Sequence, residues 1–233
     1  MDTFLARELE IMAEMPRYYD WIAAMFRDHV KGQVLEIGPG LGALSQRLLP
    51  NVDHLHLVEP SANLIGELRG RIGDNAKVSV HNQTVEAFLA TAPKGAFDAV
   101  VMANVLEHIE DDRAVVAGIR ACLKPQGKLL IFVPAMPFLY SNLDRTVGHY
   151  RRYTRGHLGE VLAAAGFDIV HIRYMDMLGI VPWWIVMTLF GSTTFNRRMV
   201  RLYDAVGVPV ARAIETRFPP GVGKNVLAVA RRK

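Results

Sequence analysis

A chain of 233 residues that is 51% hydrophobic and 21% charged can bury a full core and is not a disordered tail. Its net charge of +4 suits anionic partners but is far below the basic footprint of a dedicated nucleic-acid binder, so no nucleic-acid partner is expected. Cys122 is the one cysteine, which excludes a disulfide framework and a cysteine-built metal site.

The N-terminal MDTFLARELEIMAEM mixes acids among apolar residues and does not read as a signal peptide, so a cytoplasmic protein is expected. Apolar positions at helical spacing run over residues 3–30, with Pro16 separating two helices that form an N-terminal cap (1–30). QVLEIG is a short apolar run ending in glycine, followed by the helical LGALSQRLLP. HLHLVEP (54–60) alternates like a strand, and SANLIGELRGRI is a helix with Ser61 at its N-cap. KVSVHNQ and FDAVVMANV (97–105) are strands, DRAVVAGIRACL is a helix, and KLLIFVPA is a fifth strand. A helix over 155–165 ends at Gly166, FDIVHIRY is a sixth strand, and NVLAVARRK is a seventh. This alternation predicts an α/β fold: a Rossmann-like, mostly parallel seven-stranded sheet with helices on both faces. The core is expected over 31–175 and 222–233 of a single domain, with a helical insert at 176–221.

In VLEIGPGLGALS, Gly38, Gly40 and Gly42 lie between a strand and a helix, where glycine permits a sharp turn and close approach of a ligand. Glu59 ends the next strand, where its carboxylate can accept hydrogen bonds from ribose hydroxyls. The same loop also reads G-x-G-x-x-A (Gly38, Gly40, Ala43), so a nicotinamide dinucleotide and another nucleotide-like cofactor both remain open here. Glu36 leans toward a ligand with an amino group and a sulfonium charge, because a carboxylate there would repel a pyrophosphate.

The pattern E-x-G-x-G-x-G from Glu36 resembles the first motif of class I S-adenosylmethionine-dependent methyltransferases. FDAVVMANVLEHIEDD resembles that superfamily's fourth-strand motif. LKPQGKLLIFVPA resembles its L-K-P-G-G turn and fifth strand, with Gln126 in place of the first glycine. DRTVGHYRRYT and the glycine–phenylalanine element after it are similar to a bacterial small-molecule subgroup. About 200 residues are covered.

The resemblance implies S-adenosyl-L-methionine as cofactor, S-adenosyl-L-homocysteine as product, and no metal. It places Glu36 and the backbone of Gly38, Pro39, Gly40 and Gly42 at the methionine end, Glu59 at the ribose, and Pro60 beside the adenine. Thr84 and Val85 stand where an acid commonly contacts the adenine amine, and Asn104 faces the cleft. Tyr18, Tyr19 or Trp21 of the N-terminal helix would close over the cofactor, Tyr19 being assigned to it and Tyr18 to the acceptor.

By the same placement Asp144, His149, Arg151, Arg152 and Tyr153 lie near the methyl donor. Arginine forks bind carboxylate or phosphate, so an anionic acceptor is expected, held by His149 with Arg152 or Tyr153. The competing reading pairs the arginines with Asp144 to pin the loop. His149 is the first candidate general base, since imidazole titrates near neutrality, and His108 the second. His108 has no companion ligand at a recognised metal spacing, and His54 with His56, on one strand face, lack a third.

LGIVPWWIVMTLFG is too short to span a bilayer. The stretch from Asn196 to Phe218 is amphipathic with arginines outside its apolar face, which suits a packed cap, a lid, a homodimer interface or peripheral contact of 178–218 with the inner face of a membrane. Gly191 and Pro209 are expected to break any single long helix. The function expected is methyl transfer, by oxygen methylation, to a small or lipid-linked acceptor, no N-P-P-Y stretch being present. The alternatives are an NAD(P)-dependent oxidoreductase and a catalytically silent cofactor-binding or membrane-associated protein.

Overall fold

The computed structural model describes residues 3–233, with side chains described from Arg7 onward, so the first residues of the expected N-terminal cap lie outside the described ones. The chain opens with two helices, α1 (Thr3–Ala13) and α2 (Pro16–Phe26). Proline at the first position of α2 costs no hydrogen bond, because the first N–H groups of a helix lack an intrahelical partner. Two of those orphan donors, Arg17 N and Tyr18 N, are taken up by the buried carboxylate of Asp204, which is 186 residues away from Tyr18. Tyr18, Trp21, Ile22 and Phe26 of α2 fall on one helical face and are buried.

Seven strands form one sheet: β1 (Gln33–Ile37), β2 (His54–Val58), β3 (Val78–His81), β4 (Phe97–Ala103), β5 (Leu123–Pro134), β6 (Phe167–Met175) and β7 (Asn225–Arg232). Their order is β3-β2-β1-β4-β5-β7-β6. The first five run parallel, whereas β7 is antiparallel to both neighbours. Order reverses beside β1, where β2 lies on one side and β4 on the other, so a crevice opens at the carboxyl ends of β1 and β4.

The near-continuous apolar runs of β4 and β5 follow from burial on both faces. On one face Leu35, Ile37, Val100 and Ile131 pack against α5 (Val85–Thr91), α6 (Asp112–Cys122) and α8 (Arg155–Ala164). On the other, Val34, Leu55, Leu57 and Phe132 pack against α2, α3 (Ser45–Leu48) and α4 (Ala62–Ile72). Each fully buried leucine of this kind contributes roughly 1.5–3 kcal/mol. Asp111 and Thr154 cap α6 and α8 with their side chains. Gln126, standing where the resembling motif has glycine, takes the left-handed conformation at φ 65°.

After α7 (Asn142–Thr146), and between β6 and β7, come α9 (Ile180–Trp183), α10 (Arg197–Leu202) and α11 (Val208–Arg217). Gly191, at φ 65°, ends the first of these helical stretches as expected. Pro209 does not break the second. A wide five-residue turn over Tyr203–Gly207 joins α10 to α11 and places Pro209 in the first turn of α11, where a proline is tolerated. Val181, Trp184, Leu189, Phe190, Leu202 and Phe218 of this region are exposed. No helix among the described residues is long and apolar enough to cross a membrane.

Candidate active site

At the carboxyl end of β1 the chain turns through Gly38 (φ 67°) and Gly40 (φ 55°). A Cβ on Gly38 would lie 2.4 Å from Val105 Cγ2, so only glycine lets this strand end approach the turn after β4. Glu59, buried at the end of β2, accepts the backbone N–H of Gly40 at 3.1 Å through Oε2 and that of Ser61 at 3.0 Å through Oε1. The carboxylate thereby fixes the glycine turn against the second strand while keeping further lone pairs for a ligand.

Beside this turn lies a cleft of about 350 Å³ lined by Gly38, Gly40, Glu59, Pro60, Thr84 and Val85, with Asn104 and His108 on its far wall. Thr84 caps α5, its hydroxyl accepting the N–H of Ala87. Asn104 sits at φ 54°, a region asparagine tolerates and most side chains avoid. Four residues expected at the cofactor lie apart from this cleft. Glu36 faces the other side of the sheet, toward α2 and α3, where burial pushes its carboxyl up to about 7 and Oε2 has no hydrogen-bond partner among the described residues. Pro39 closes the turn by accepting from Gly42 N, and Gly42 is packed against Leu68 and Ile72. Tyr19 lines the neighbouring cavity.

That second cavity, about 160 Å³, shares Leu9, Asn104 and His108 with the first. Tyr18, Glu107, His149 and Arg152 line it, together with Glu8 of α1 and Lys224 just before β7. A third, mostly apolar space of about 120 Å³ continues beyond it past Met12, Trp183, Phe195 and Lys224 into the helices that precede β7. The three spaces adjoin through shared lining residues, from the glycine turn to the α9–α10 region.

The segment GHYRRYT anchors more than it exposes. Asp144 is fully buried and receives both Nε and Nη2 of Arg152 at 3.0 Å, as well as the hydroxyl and N–H of Ser141. Arg152 also donates to the Ala135 carbonyl and stacks on Trp183, 4.4 Å from the ring centre. Arg151 pairs with Asp112 at 2.8 Å and with the Glu110 carbonyl. Tyr153 is fully buried, its hydroxyl donating to the Asp112 carboxylate at 2.8 Å, and burial lifts its phenol well above the ordinary range. Both arginines expected to hold an anion are thus engaged by carboxylates of this chain. Asp144, Arg151 and Tyr153 lie apart from the second cavity, and Arg152, which lines it, is paired with Asp144. Lys224 is likewise paired with Asp176 at 2.8 Å.

His149 is held by the same network. Its Nδ1 lies 2.8 Å from Asp144 Oδ1, which leaves Nε2 facing Glu107 Oε1 at 3.8 Å. Burial raises the Asp144 carboxyl, but the hydrogen bond from His149 and the guanidinium of Arg152 overcome it and hold it at about 2. An ionised Asp144 fixes the proton of His149 on Nδ1 and the lone pair on Nε2. Glu107 has no exposed surface, and burial pushes its carboxyl up to about 7 against the opposing pull of His149. Burial and the neighbouring His149 hold the His108 imidazole down at about 4. The two imidazoles meet edge to face, 4.5 Å between centres. Candidate ligand atoms of Glu107, His108 and His149 all lie within 4.8 Å of one another. His108 therefore does have companions able to share a cation, contrary to the reading from spacing alone. His54 and His56 are half-buried, with His56 Nδ1 3.3 Å from His81 Nε2 on the adjacent strand.

Sequence reasoning missed Glu8, Leu9, Glu107, Trp183 and Lys224. Glu107 carried a usable signal, an acid placed between the apolar Leu106 and His108 at a strand end. The others come from distant segments and carried none.

The family described as "methyltransferase domain" matches residues 6–172. The chain is 34% identical over 198 residues to the ubiquinone biosynthesis O-methyltransferase of Xanthomonas oryzae pv. oryzae, covering 78% of this chain and 80% of that one. An S-adenosylmethionine-dependent methyltransferase from Mesorhizobium loti superposes with a TM-score of 0.63 at 15% identity, over 90% of this chain and 95% of that one. Phosphoethanolamine N-methyltransferase 2 of Haemonchus contortus, solved in complex with S-adenosyl-L-methionine, gives 0.64 at 16% identity, over 91% of this chain and 52% of that one. At those identities the two structures share the fold alone.

Proposed function

The chain belongs to the methyltransferase family, and we propose that it methylates the oxygen of a small, hydroxyl-bearing acceptor with an apolar body, using S-adenosylmethionine. The observation that carries this reading is the meeting of two clefts at Leu9, Asn104 and His108, one built on the glycine turn and the other on ionisable side chains. A relative whose name specifies O-methylation supports oxygen as the atom methylated here.

The residues present fit the cofactor. Gly38 and Gly40 border the cleft with bare backbone, and Glu59 is buried at its edge. In this assignment Glu59 takes the ribose hydroxyls and the backbone of Gly38 and Gly40 the methionine end. Pro60, Thr84 and Val85 border the adenine, Glu36 steadies the turn from behind, and Tyr19 closes the boundary with the acceptor. Bound there, the cofactor supplies a methyl group on a positively charged sulfur that needs no further activation.

The chain's own task is alignment, which is worth roughly 7–11 kcal/mol when the reacting atoms are held in line. Tyr18, whose hydroxyl donates to Asn225 at 2.7 Å, forms a fixed wall for the acceptor. The Arg152–Asp144–His149 chain presents an imidazole nitrogen to it. The apolar space beyond Trp183 suits an acceptor with a hydrocarbon tail, including a lipid-linked one. The exposed apolar residues of α9–α11, flanked by Arg198, Arg212 and Arg217, support a lid that also touches an anionic membrane surface.

Incubation with methyl-labelled cofactor and matched 4-alkylphenols, 4-alkylanilines and 4-alkylbenzoates tests the reading. Label is expected in the phenol series, increasing with alkyl length. Label confined to anilines or benzoates contradicts it.

A further inference from the structure

The apolar space beyond Trp183 adjoins a further hollow of about 920 Å³ on the outer surface, Val186, Phe195, Asn196 and Met199 lining both. Residues of α1 and α10 wall this hollow, and most of them are polar: Arg7 and Glu10 on one side, Arg197 and Arg198 on the other, with Ser192 and Thr194 between. The half-buried ring of Phe195 borders the acceptor cavity, the apolar space and the hollow alike. Arg197 is paired with Glu14 at 2.7 Å, whereas the exposed guanidinium groups of Arg7 and Arg198 have no partner among the described residues. Glu10 is the single carboxylate in the lining, so the hollow keeps an excess of positive charge.

We propose that this hollow holds an anionic oxygen group, a phosphate or a carboxylate, at the far end of the acceptor's apolar body, with Arg7 and Arg198 as its specificity-determining residues. The inference rests on the hydroxyl-acceptor reading above and extends it to the other end of the molecule. Met12, Met15, Met187 and Met199 line the apolar space between the two ends. Methionine is unbranched and polarizable, so such a wall adapts to a flexible hydrocarbon chain rather than to one rigid shape. A chain lying there with an apolar end would set hydrocarbon against unpaired guanidinium donors. An anionic end satisfies them, because each arginine fork matches two oxygens of a phosphate or carboxylate.

Charge places the anion at the outer end and not beside the reacting oxygen. Deeper in, Arg152 and Lys224 are already paired with Asp144 and Asp176. A bilayer surface offers the same headgroup chemistry as a single amphiphile. The hollow favours the single amphiphile, because it shares four walls with the apolar space. Phe190, Leu202 and Phe218, the most exposed apolar side chains suited to a bilayer, are not among its walls.

Titration calorimetry with octyl phosphate, octanoate and octanol, each kept below micelle formation and with S-adenosylhomocysteine present, tests this without turnover. The wild-type protein is expected to bind both anions roughly tenfold or more tighter than octanol. Arg7→Gln with Arg198→Gln should erase that preference, and Arg7→Lys with Arg198→Lys should keep part of it. Val186→Trp, which crowds the boundary between the hollow and the apolar space, should weaken all three ligands. Equal binding of octanol and octyl phosphate by the wild type, or a preference that survives the glutamine pair, overturns the proposal. Inorganic phosphate binding as tightly as octyl phosphate also overturns it and makes the hollow a site for free anions. A glutamine pair that loses anionic vesicles but keeps its octyl phosphate preference does the same and makes the arginines membrane contacts. Binding of S-adenosylhomocysteine reports the folding of each variant. Methyl transfer to the alkylphenols by the wild type reads the hydroxyl-acceptor assignment separately, so failure there would fall on that assignment and not on Arg7 and Arg198.

Discussion

Replacing Glu107 by glutamine reads the cost of burying its charge. Burial pushes its folded carboxyl from the ordinary 4.5 up to about 7, so the folded state binds the extra proton between those values. Stability therefore falls as pH rises through that window, and above it the full penalty is present, roughly 3 kcal/mol from the linkage of pKa to stability. Glu107→Gln carries no such penalty. Its melting temperature should exceed that of the wild type at pH 8 and approach it at pH 5. At Gly38 the effect is steric. Alanine there adds a left-handed penalty of about 1 kcal/mol to a clash with Val105, so Gly38→Ala should weaken S-adenosylhomocysteine binding at least tenfold, roughly 1.4 kcal/mol, by titration calorimetry. Glycine turn and Glu59 were legible because their chemistry is local, a strand end, a turn and an acid in fixed order. Glu107 carried a weaker signal, an acid between Leu106 and His108, since a carboxylate becomes an orphan only through the partners that the fold withholds from it.

The elements around β5 supply the partners of GHYRRYT. Cations and phenols at a strand end look like an anion site, yet Asp144 and Asp112 had already claimed Arg152 and Arg151. The two arginines should behave differently on truncation. Arg152→Ala strips the buried Asp144 of its guanidinium and leaves it only Ser141 and His149, and urea unfolding should show a loss of roughly 3–5 kcal/mol. Arg151 is partly solvated, and its loss should cost about 1 kcal/mol or less. Strand and helix positions were legible from period and punctuation. The antiparallel seventh strand between β5 and β6 was not, because pairing order has no local signal. Nor was the survival of helix past Pro209, which depends on a widened turn that Gly207 makes possible by letting the Tyr203 ring lie against its backbone.

Across the whole molecule, the cleft is closed by segments far apart in sequence. Asp204 holds the start of α2, Glu8 holds Phe195, and Glu14 pairs with Arg197 and Arg201, so the N-terminal helices and the helices before β7 form one roof over the sheet edge. With arginines and exposed apolar side chains on its outer surface, the roof should bind vesicles containing anionic lipid more strongly than neutral ones in a sedimentation assay, with binding reduced by salt. Replacing Phe190 and Phe218 by serine should abolish the difference.

The most direct test of the account is isothermal titration of the wild-type protein and Glu59→Ala with S-adenosylmethionine, S-adenosylhomocysteine and reduced nicotinamide dinucleotide. Micromolar binding of the first two, weakened at least tenfold (roughly 1.4 kcal/mol) by Glu59→Ala and absent for the dinucleotide, is the predicted result. No binding of either methyl-cofactor form, or binding that Glu59→Ala leaves unchanged, would contradict the assignment of the glycine-turn cleft on which everything else rests.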